Sequence, residues 1–104
     1  MTMKYMHTGM IVGEKLPDMI YMAPLKVWVT DASKDKYSIE FLYFEVDSPM
    51  AAAIQEQPHV AYAVDNIDEA IAGKAILWDK MDVGGAYIAF VYDNDTVVEF
   101  YQAK

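Results

Sequence analysis

Both histidines of the chain are followed by a glutamate in similar surroundings, which suggests a metal site built from two halves. His7 opens the segment HTGMIV and His59 opens HVAYAV, while Glu40 lies in IEFLY and Glu99 in VEFYQ. Two neutral imidazoles and two carboxylates form a mixed nitrogen and oxygen set that suits Zn²⁺, Ni²⁺, Co²⁺, Fe²⁺ or Mn²⁺. We therefore predict that His7, Glu40, His59 and Glu99 bind a divalent metal ion, provided that the two halves face each other.

The two glutamates lie in strand-like segments that are apolar on both faces. Because side chains alternate across a strand, Glu40 shares a face with Leu42, and Glu99 shares one with Val97 and Tyr101. A carboxylate in such a strand is costly unless it is paired, protonated or bound to a cation. Both glutamates therefore need a partner.

The histidines have small neighbours on their own strand faces, Gly9 beside His7 and Ala61 beside His59. That space suits a metal ligand, and it also suits an imidazole packed in a core. The alternatives for single residues are a hydrogen-bonded structural histidine and an edge-strand glutamate that faces water. The matched order of all four residues favours the metal site over these alternatives.

The elements that must position these side chains are mainly strands. β-branched and aromatic residues, bounded by turn formers, predict strands over 3–12, 25–30, 37–46, 59–64, 74–80, 86–92 and 96–102. The strands 25–30 and 37–46 should form a hairpin through DASKDK, and Asp93-Asn94-Asp95 should turn a second hairpin. We expect the eight methionines to fill gaps in the core or in an apolar pocket, and the acidic residues of these turns to stabilise the turns. Neither group therefore predicts a second metal site.

Two short helices complete the prediction, one over 51–56 and one over 66–72. Asp65 is the expected N-cap of the second helix, and Gly73 is suited to its C-terminal end. The stretch 14–24 is flanked by prolines and predicts a loop with one helical turn. The second half thus has the order β-α-β-β-β, and the first half has the same order with its helix eroded.

Composition limits the class of protein. At 104 residues and 55% hydrophobic content, we expect one domain, 1–104, with a sizeable core and no membrane-spanning run. The absence of cysteine and of a secretory signal favours a soluble cytoplasmic protein. A net charge of -8 argues against nucleic acid. All eight basic residues are lysines, and the lack of arginine argues against phosphate or carboxylate clamps.

The segment HVAYAVDNIDEAIAGKAILWDK resembles the start of a module of the vicinal oxygen chelate superfamily, which includes glyoxalase I, the bleomycin-resistance proteins and extradiol dioxygenases. AYIAFVYDNDTVVEFYQ resembles the end of the same module. HTGMIV and SIEFLYFE are similar to the matching pieces of a first module. The similarity is close over 59–102 and looser over 3–47.

The resemblance implies an α+β fold of paired βαβββ modules, approximately 1–50 and 58–104, around a shared cleft. It places metal ligands at His7, Glu40, His59 and Glu99, one His on the first strand and one Glu on the last strand of each module. In metal-dependent members the ion holds vicinal oxygens of a small substrate, and a ligand glutamate serves as base, here Glu99 or Glu40. The implied activity is that of a lyase, an isomerase or a dioxygenase.

The chain also departs from the superfamily pattern. It is short, and the Pro-flanked stretch 14–24 stands where the helix of the first module would be, so the cleft could be open or completed by a second chain in a homodimer. The missing arginines argue against glutathione, coenzyme A and phosphonate substrates. Some members bind ligands without metal. The alternative function is therefore a non-catalytic protein that binds or sequesters a small molecule.

Overall fold

Strand-forming segments make up most of the chain, and the computed structural model, which describes residues 1–104, arranges them as one eight-stranded sheet. The strands are β1 (Met3–Ile11), β2 (Ile20–Met22), β3 (Val27–Val29), β4 (Ile39–Phe44), β5 (His59–Val64), β6 (Ala75–Asp82), β7 (Ala86–Asp93) and β8 (Thr96–Ala103). Two short α-helices, α1 (Ala52–Glu56) and α2 (Ile67–Ile71), complete a mixed α+β fold. No helix has the length and apolar character needed to cross a membrane.

The order of strands across the sheet is β2-β3-β4-β1-β5-β8-β7-β6. The centre is the antiparallel pair of β1 and β5. Each of these strands has a parallel neighbour on its other side, β4 beside β1 and β8 beside β5. The remaining strands continue outward in antiparallel pairs. The four central strands are therefore the ones that carry the histidines and glutamates.

The sheet curls around one of its faces. Residues 22–25, at the end of the edge strand β2, and 81–83, at the end of the edge strand β6, line the same surface cleft, so the two edges of the sheet approach each other. Helix α1 packs on this inner face through Ile54, which is fully buried. The inner face carries the larger hydrophobic cluster, made of Leu25, Val27, Leu42, Met50, Ile54, Ile88, Phe90 and Val97.

Helix α2 covers the opposite, outer face of the second half. Ile67 and Ala70 pack there with Val64, Val91 and Phe100. The predicted N-cap at Asp65 is wrong by one residue, because the Asn66 side chain accepts the hydrogen bond from the Glu69 backbone N–H. Asp65 instead accepts a hydrogen bond from the Thr2 backbone N–H.

No helix covers the outer face of the first half. The stretch 14–24, predicted as a loop with one helical turn, contains the short strand β2 followed by a 3-10 turn over Ala23–Leu25. That turn takes Leu25 out of the predicted strand 25–30, and Lys26 at φ 49° ends it. Aromatic side chains on this outer face are partly open to solvent, and Tyr21 packs against Trp28 with ring centroids 4.7 Å apart and ring planes tilted by 36°.

Both predicted hairpins are confirmed. β3 pairs antiparallel with β4, although the latter begins at Ile39 and not at 37, because Asp35 accepts backbone hydrogen bonds that hold residues 37–39 in a turn. β7 pairs antiparallel with β8. Asn94 and Asp95 both have φ 54°, the left-handed conformation that suits a two-residue hairpin turn.

Candidate metal centre

The four predicted ligands come from the four central strands and occupy two neighbouring rows of the sheet. In one row Gly9 on β1 lies between Glu40 on β4 and His59 on β5. In the next row Ala61 on β5 lies between His7 and Glu99. Each histidine therefore faces a small residue across the β1–β5 pair, and each glutamate is the parallel neighbour of that small residue. The register is the same in the two halves.

An irregularity in β1 helps to direct His7 toward the inner face. Tyr5 is opposite Tyr62 and His7 is opposite Ala61, so Met6 is an extra residue in the ladder. Such a bulge turns neighbouring side chains away from strict alternation. Met6 and His7 consequently both line the inner cavity, although consecutive residues of a regular strand point to opposite faces.

The ligand atoms converge. His7 Nε2 lies 3.4 Å from Oε1 of Glu40 and 3.4 Å from Oε1 of Glu99. His59 Nε2 lies 3.7 Å and 3.2 Å from the same two oxygens. One donor atom from each of the four side chains lies within 4.8 Å of every other, so the group could hold a metal ion.

These separations fit the size of a divalent transition metal. Two ligands of a tetrahedral ion with bonds of about 2.1 Å lie about 3.4 Å apart, which falls inside the range of 3.2 to 3.7 Å found between the imidazole nitrogens and carboxylate oxygens. The donor set of two nitrogens and two oxygens is one that Zn²⁺, Ni²⁺, Co²⁺, Fe²⁺ and Mn²⁺ accept. Size and chemistry therefore agree with the predicted ligand set.

The imidazole nitrogens have unmet hydrogen-bonding capacity. His7 Nε2, His59 Nε2 and His59 Nδ1 are buried and have no hydrogen-bond partner. Buried polar atoms of this kind are rare because losing water without a replacement partner is costly. A cation at the meeting point of the four side chains would satisfy both Nε2 atoms at once.

The orientation of His59 depends on packing. Metal-bound imidazoles usually donate their second N–H to a carboxylate or carbonyl, but His59 Nδ1 has no such partner. Its ring instead packs edge-on against Phe90, with centroids 5.4 Å apart, and lies directly over Gly9. A Cβ atom at Gly9 would lie 2.1 Å from His59 Cε1. Glycine at this position therefore makes room for the ring.

The pKa values of His7 and Glu99 are strongly shifted by the other members of the cluster. Burial by itself lowers the pKa of His7, but Glu40 and Glu99 outweigh it and raise that pKa from 6.5 to about 10. Burial by itself raises the pKa of Glu99, but His59 and His7 outweigh it and lower that pKa from 4.5 to about 2. At neutral pH the metal-free cluster thus holds a protonated His7 beside an ionised Glu99.

Metal binding should release protons, because a metal binds only the neutral imidazole of His7. We expect about one proton released per metal bound at pH 7, and an affinity that increases as pH rises toward the His7 pKa of about 10. Calorimetric titration in buffers of different ionisation enthalpy measures this release. A binding enthalpy that does not change with the buffer would contradict the assignment of His7 as a ligand.

The stability of the metal-free fold should also depend on pH, through both His7 and Glu99. The raised pKa of His7 stabilises the fold fully below pH 6.5, and this stabilisation is lost as pH rises toward about 10. The lowered pKa of Glu99 stabilises the fold above pH 4.5, and that stabilisation is lost as pH falls toward about 2. Thermal melts of chelator-treated protein should therefore show the largest contribution of the cluster between pH 4.5 and 6.5.

The cluster lies at the wall of a cavity of about 380 Å³, a size within the range of small-molecule sites. Thirteen of its 19 lining residues are hydrophobic, so a ligand that reached the four donors would bury an apolar body. The walls come from both halves of the sheet and from α1, and include Met22, Leu42, Met50, Ile54, Ile88 and Tyr101.

All four residues predicted from the sequence are brought together, and none of the four lies elsewhere. Three contributors were not anticipated: the bulge at Met6, the wall formed by Phe90, and Met22 on the unpredicted strand β2. The sequence does carry a signal for the role of Gly9, since it is the small residue two positions after His7. A side chain at position 9 would clash with His59 only because of the β1–β5 register, which cannot be read from the sequence.

Among known protein families and curated proteins, none matches this sequence. The structure is similar to the crystal structure of a hypothetical protein from Bacillus halodurans C-125, with a TM-score of 0.72 and 22% sequence identity. The superposition covers 100% of this chain and 96% of the other. This likeness supports the mixed α+β fold and assigns no activity, so function has to be argued from the site.

Proposed function

We propose that this chain is a metal-dependent enzyme of the glyoxalase-like group, acting as a lyase, isomerase or dioxygenase on a small oxygenated molecule. The observation that carries the proposal is the convergence of four donors, two of them imidazole Nε2 atoms without a hydrogen-bond partner, at the wall of a largely apolar cavity. Both nitrogens lie 3.2 to 3.7 Å from the carboxylate oxygens, within reach of an ion pair but without a hydrogen bond, whereas a purely structural cluster would be expected to satisfy its own buried nitrogens. A ligand-binding cluster leaves them available.

The proposal includes a relation to the vicinal oxygen chelate superfamily through paired modules, 1–50 and 58–104. In support, the strands run outward from the centre as β1-β4-β3-β2 in the first half and as β5-β8-β7-β6 in the second. The second half has a helix after its first strand, and the first half has none there. We interpret the first half as a βαβββ module that has lost its helix.

Within this proposal Glu40 and Glu99 have two tasks, metal binding and proton transfer. When bound, the metal would supply Lewis acidity toward oxygens of the substrate. Oε1 of each glutamate points at the imidazoles, and the second oxygen of a carboxylate can accept a proton from a substrate held beside it. The Glu40 side chain is 18% exposed and that of Glu99 is 10% exposed, which favours Glu40 as the base.

The metal content of purified protein tests the proposal directly. Protein produced in metal-supplemented medium and purified without chelator should contain close to one transition-metal ion per chain by elemental mass spectrometry. The His7→Ala/His59→Ala double variant should contain almost none, because two of four ligands are lost. Wild-type protein with less than about a tenth of an equivalent, and with no affinity on titration, would rule out a tight site.

Turnover separates the three reaction classes. The metal-loaded protein would be incubated with small diols, hydroxyketones and catechols, and products and oxygen consumption would be measured. A dioxygenase consumes oxygen with its substrate, whereas an isomerase or a lyase does not. Full metal loading without turnover of any compound would favour the second candidate.

The second candidate is a non-catalytic protein that binds or sequesters a small apolar molecule. The predominance of hydrophobic residues in the cavity lining supports it, because such a lining can bind a ligand without metal. Thermal-shift measurements on the wild type and the His7→Ala/His59→Ala variant distinguish the two functions. Stabilisation by a ligand that persists in the double variant would show that binding does not depend on the metal site.

A further inference from the structure

The charges around the cavity are all of one sign apart from the histidine that belongs to the cluster itself. The charged lining residues are Asp31, Glu40 and Glu99, and no lysine lines the cavity. The chain has no arginine at all. A bound divalent metal would balance the two glutamates, which leaves Asp31 as the remaining charge on the cavity wall.

Asp31 lies at the mouth of the cavity. It is exposed, and together with Thr30 it lines both the cavity and the adjoining surface cleft. Its carboxylate accepts hydrogen bonds from the backbone N–H and the hydroxyl of Ser33, which lower its pKa and keep it ionised. Lys34 lines the adjoining cleft, where two further aspartates, Asp18 and Asp35, accompany Asp31. The entrance therefore has a negative balance of charge.

An anionic ligand would consequently lose its water and gain few partners. Beyond the metal cluster the side-chain donors of the wall are the hydroxyls of Thr30, Ser33 and Tyr101, and that of Ser33 already donates to Asp31. Transfer of a carboxylate into an apolar space is strongly unfavourable unless a cation or several hydrogen-bond donors receive it. Beyond the metal cluster the walls offer mainly side chains such as Met22, Val29, Leu42 and Ile88. An uncharged apolar body meets no such penalty and gains from burial.

We propose that the cavity selects uncharged molecules that carry two adjacent oxygens on an apolar body, such as alkyl-substituted catechols, and that it rejects their anionic counterparts. The chelating oxygens in this inference rest on the proposed function, whereas the selection against negative charge rests on the cavity walls alone. Asp31 and the apolar wall at Met22 are the residues that set this specificity.

A matched pair of ligands tests the selection. Para-methylcatechol and para-carboxycatechol have the same oxygen pair and differ in one substituent. The metal-loaded wild type should bind the methyl compound at least about tenfold more tightly in a calorimetric titration, which corresponds to about 1.4 kcal/mol. The carboxylate acidifies the catechol and so favours chelation, which means that chelating strength cannot produce the expected preference.

Two substitutions should shift this preference. Met22→Lys adds a cation to the cavity wall and should improve binding of para-carboxycatechol by at least about tenfold. Met22 is the half-buried residue of the otherwise exposed edge strand β2, where a flexible lysine chain can be accommodated. Asp31→Asn should give a smaller gain in the same direction while keeping the turn capped. Met10→Lys, on an exposed methionine that does not line the cavity, is the matched control and should change neither affinity.

The outcomes separate this inference from the proposed function. Equal binding of the two catechols by metal-loaded wild type would overturn the selection and leave the metal site intact. If no metal binds, the proposed function fails, and the selection is then tested on metal-free protein with toluene and benzoate by NMR. Shifts of cavity residues with toluene alone would support it, and equal binding of benzoate would overturn it.

Discussion

Glu99→Gln should weaken metal binding by at least about 100-fold, because it removes a charged ligand without changing the size of the side chain. Loss of a partner outside the ligand shell already costs about 10- to 100-fold in metal affinity, and Glu99 lies within 3.4 Å of both imidazole nitrogens. Glutamine retains the shape of the buried side chain, so the fold should persist. Competition titration with a chromogenic chelator gives the affinity, and circular dichroism reports the fold.

Glu45→Gln is the matched control for this variant. Glu45 follows β4 and accepts a hydrogen bond from the indole N–H of Trp28 at 2.8 Å, and it does not line the cavity. The same chemical change there should leave metal affinity as in the wild type. If Glu99→Gln binds metal as well as Glu45→Gln does, Glu99 is not a ligand.

Gly9→Ala should displace the His59 ring and so reduce metal binding without altering any ligand. The new methyl group would lie 2.1 Å from Cε1, 2.5 Å from Nδ1 and 2.6 Å from Nε2 of His59. The ring is fully buried and also packs edge-on against Phe90, so relief requires a shift of the ring or of β1. Overpacking of this kind lowers the free energy of unfolding by about 1 to 3 kcal/mol. We expect a loss of metal affinity on the order of 100-fold.

Gly13→Ala provides the control for backbone effects. A Cβ atom at Gly13 meets nothing within 4 Å, and its φ is not positive, so alanine fits without strain. That variant should retain wild-type metal affinity and stability. Wild-type affinity in Gly9→Ala would instead show that the contact with Gly9 does not fix the position of His59.

The ligand set could be predicted because its signal is local and repeated. His7 lies within β1 and His59 opens β5, and each is followed two residues later by a small residue, Gly9 or Ala61. Each glutamate interrupts an apolar strand, where burial makes a partner necessary. These features depend on strand alternation and on the order of residues, both of which can be read without knowing how the strands pair. The structure then brings the four side chains together.

The features that were missed depend on tertiary context. Residues 20–22 form a strand only because β3 offers a free edge, and the prolines on both sides obscured that pairing. Asp65 and Asn66 are both good N-cap residues, and the choice between them is made by backbone geometry: Asn66 is extended, at φ -147°. The bulge at Met6 is a mismatch between two strands and has no signature in either one alone.

Because no helix covers the outer face of the first half, we expect local opening of the fold to be easiest there. Helix α2 seals the outer face of β5, β7 and β8, whereas β2 and β3 are three residues each and end the sheet on the uncovered side. Local opening is easiest where few apolar contacts hold a short edge. His7 and Glu40 belong to that looser half, and His59 and Glu99 belong to the sealed one. A metal ion bound by all four residues would therefore cross-link the looser half to the sealed half. Disulfides cannot supply such a cross-link in a chain without cysteine.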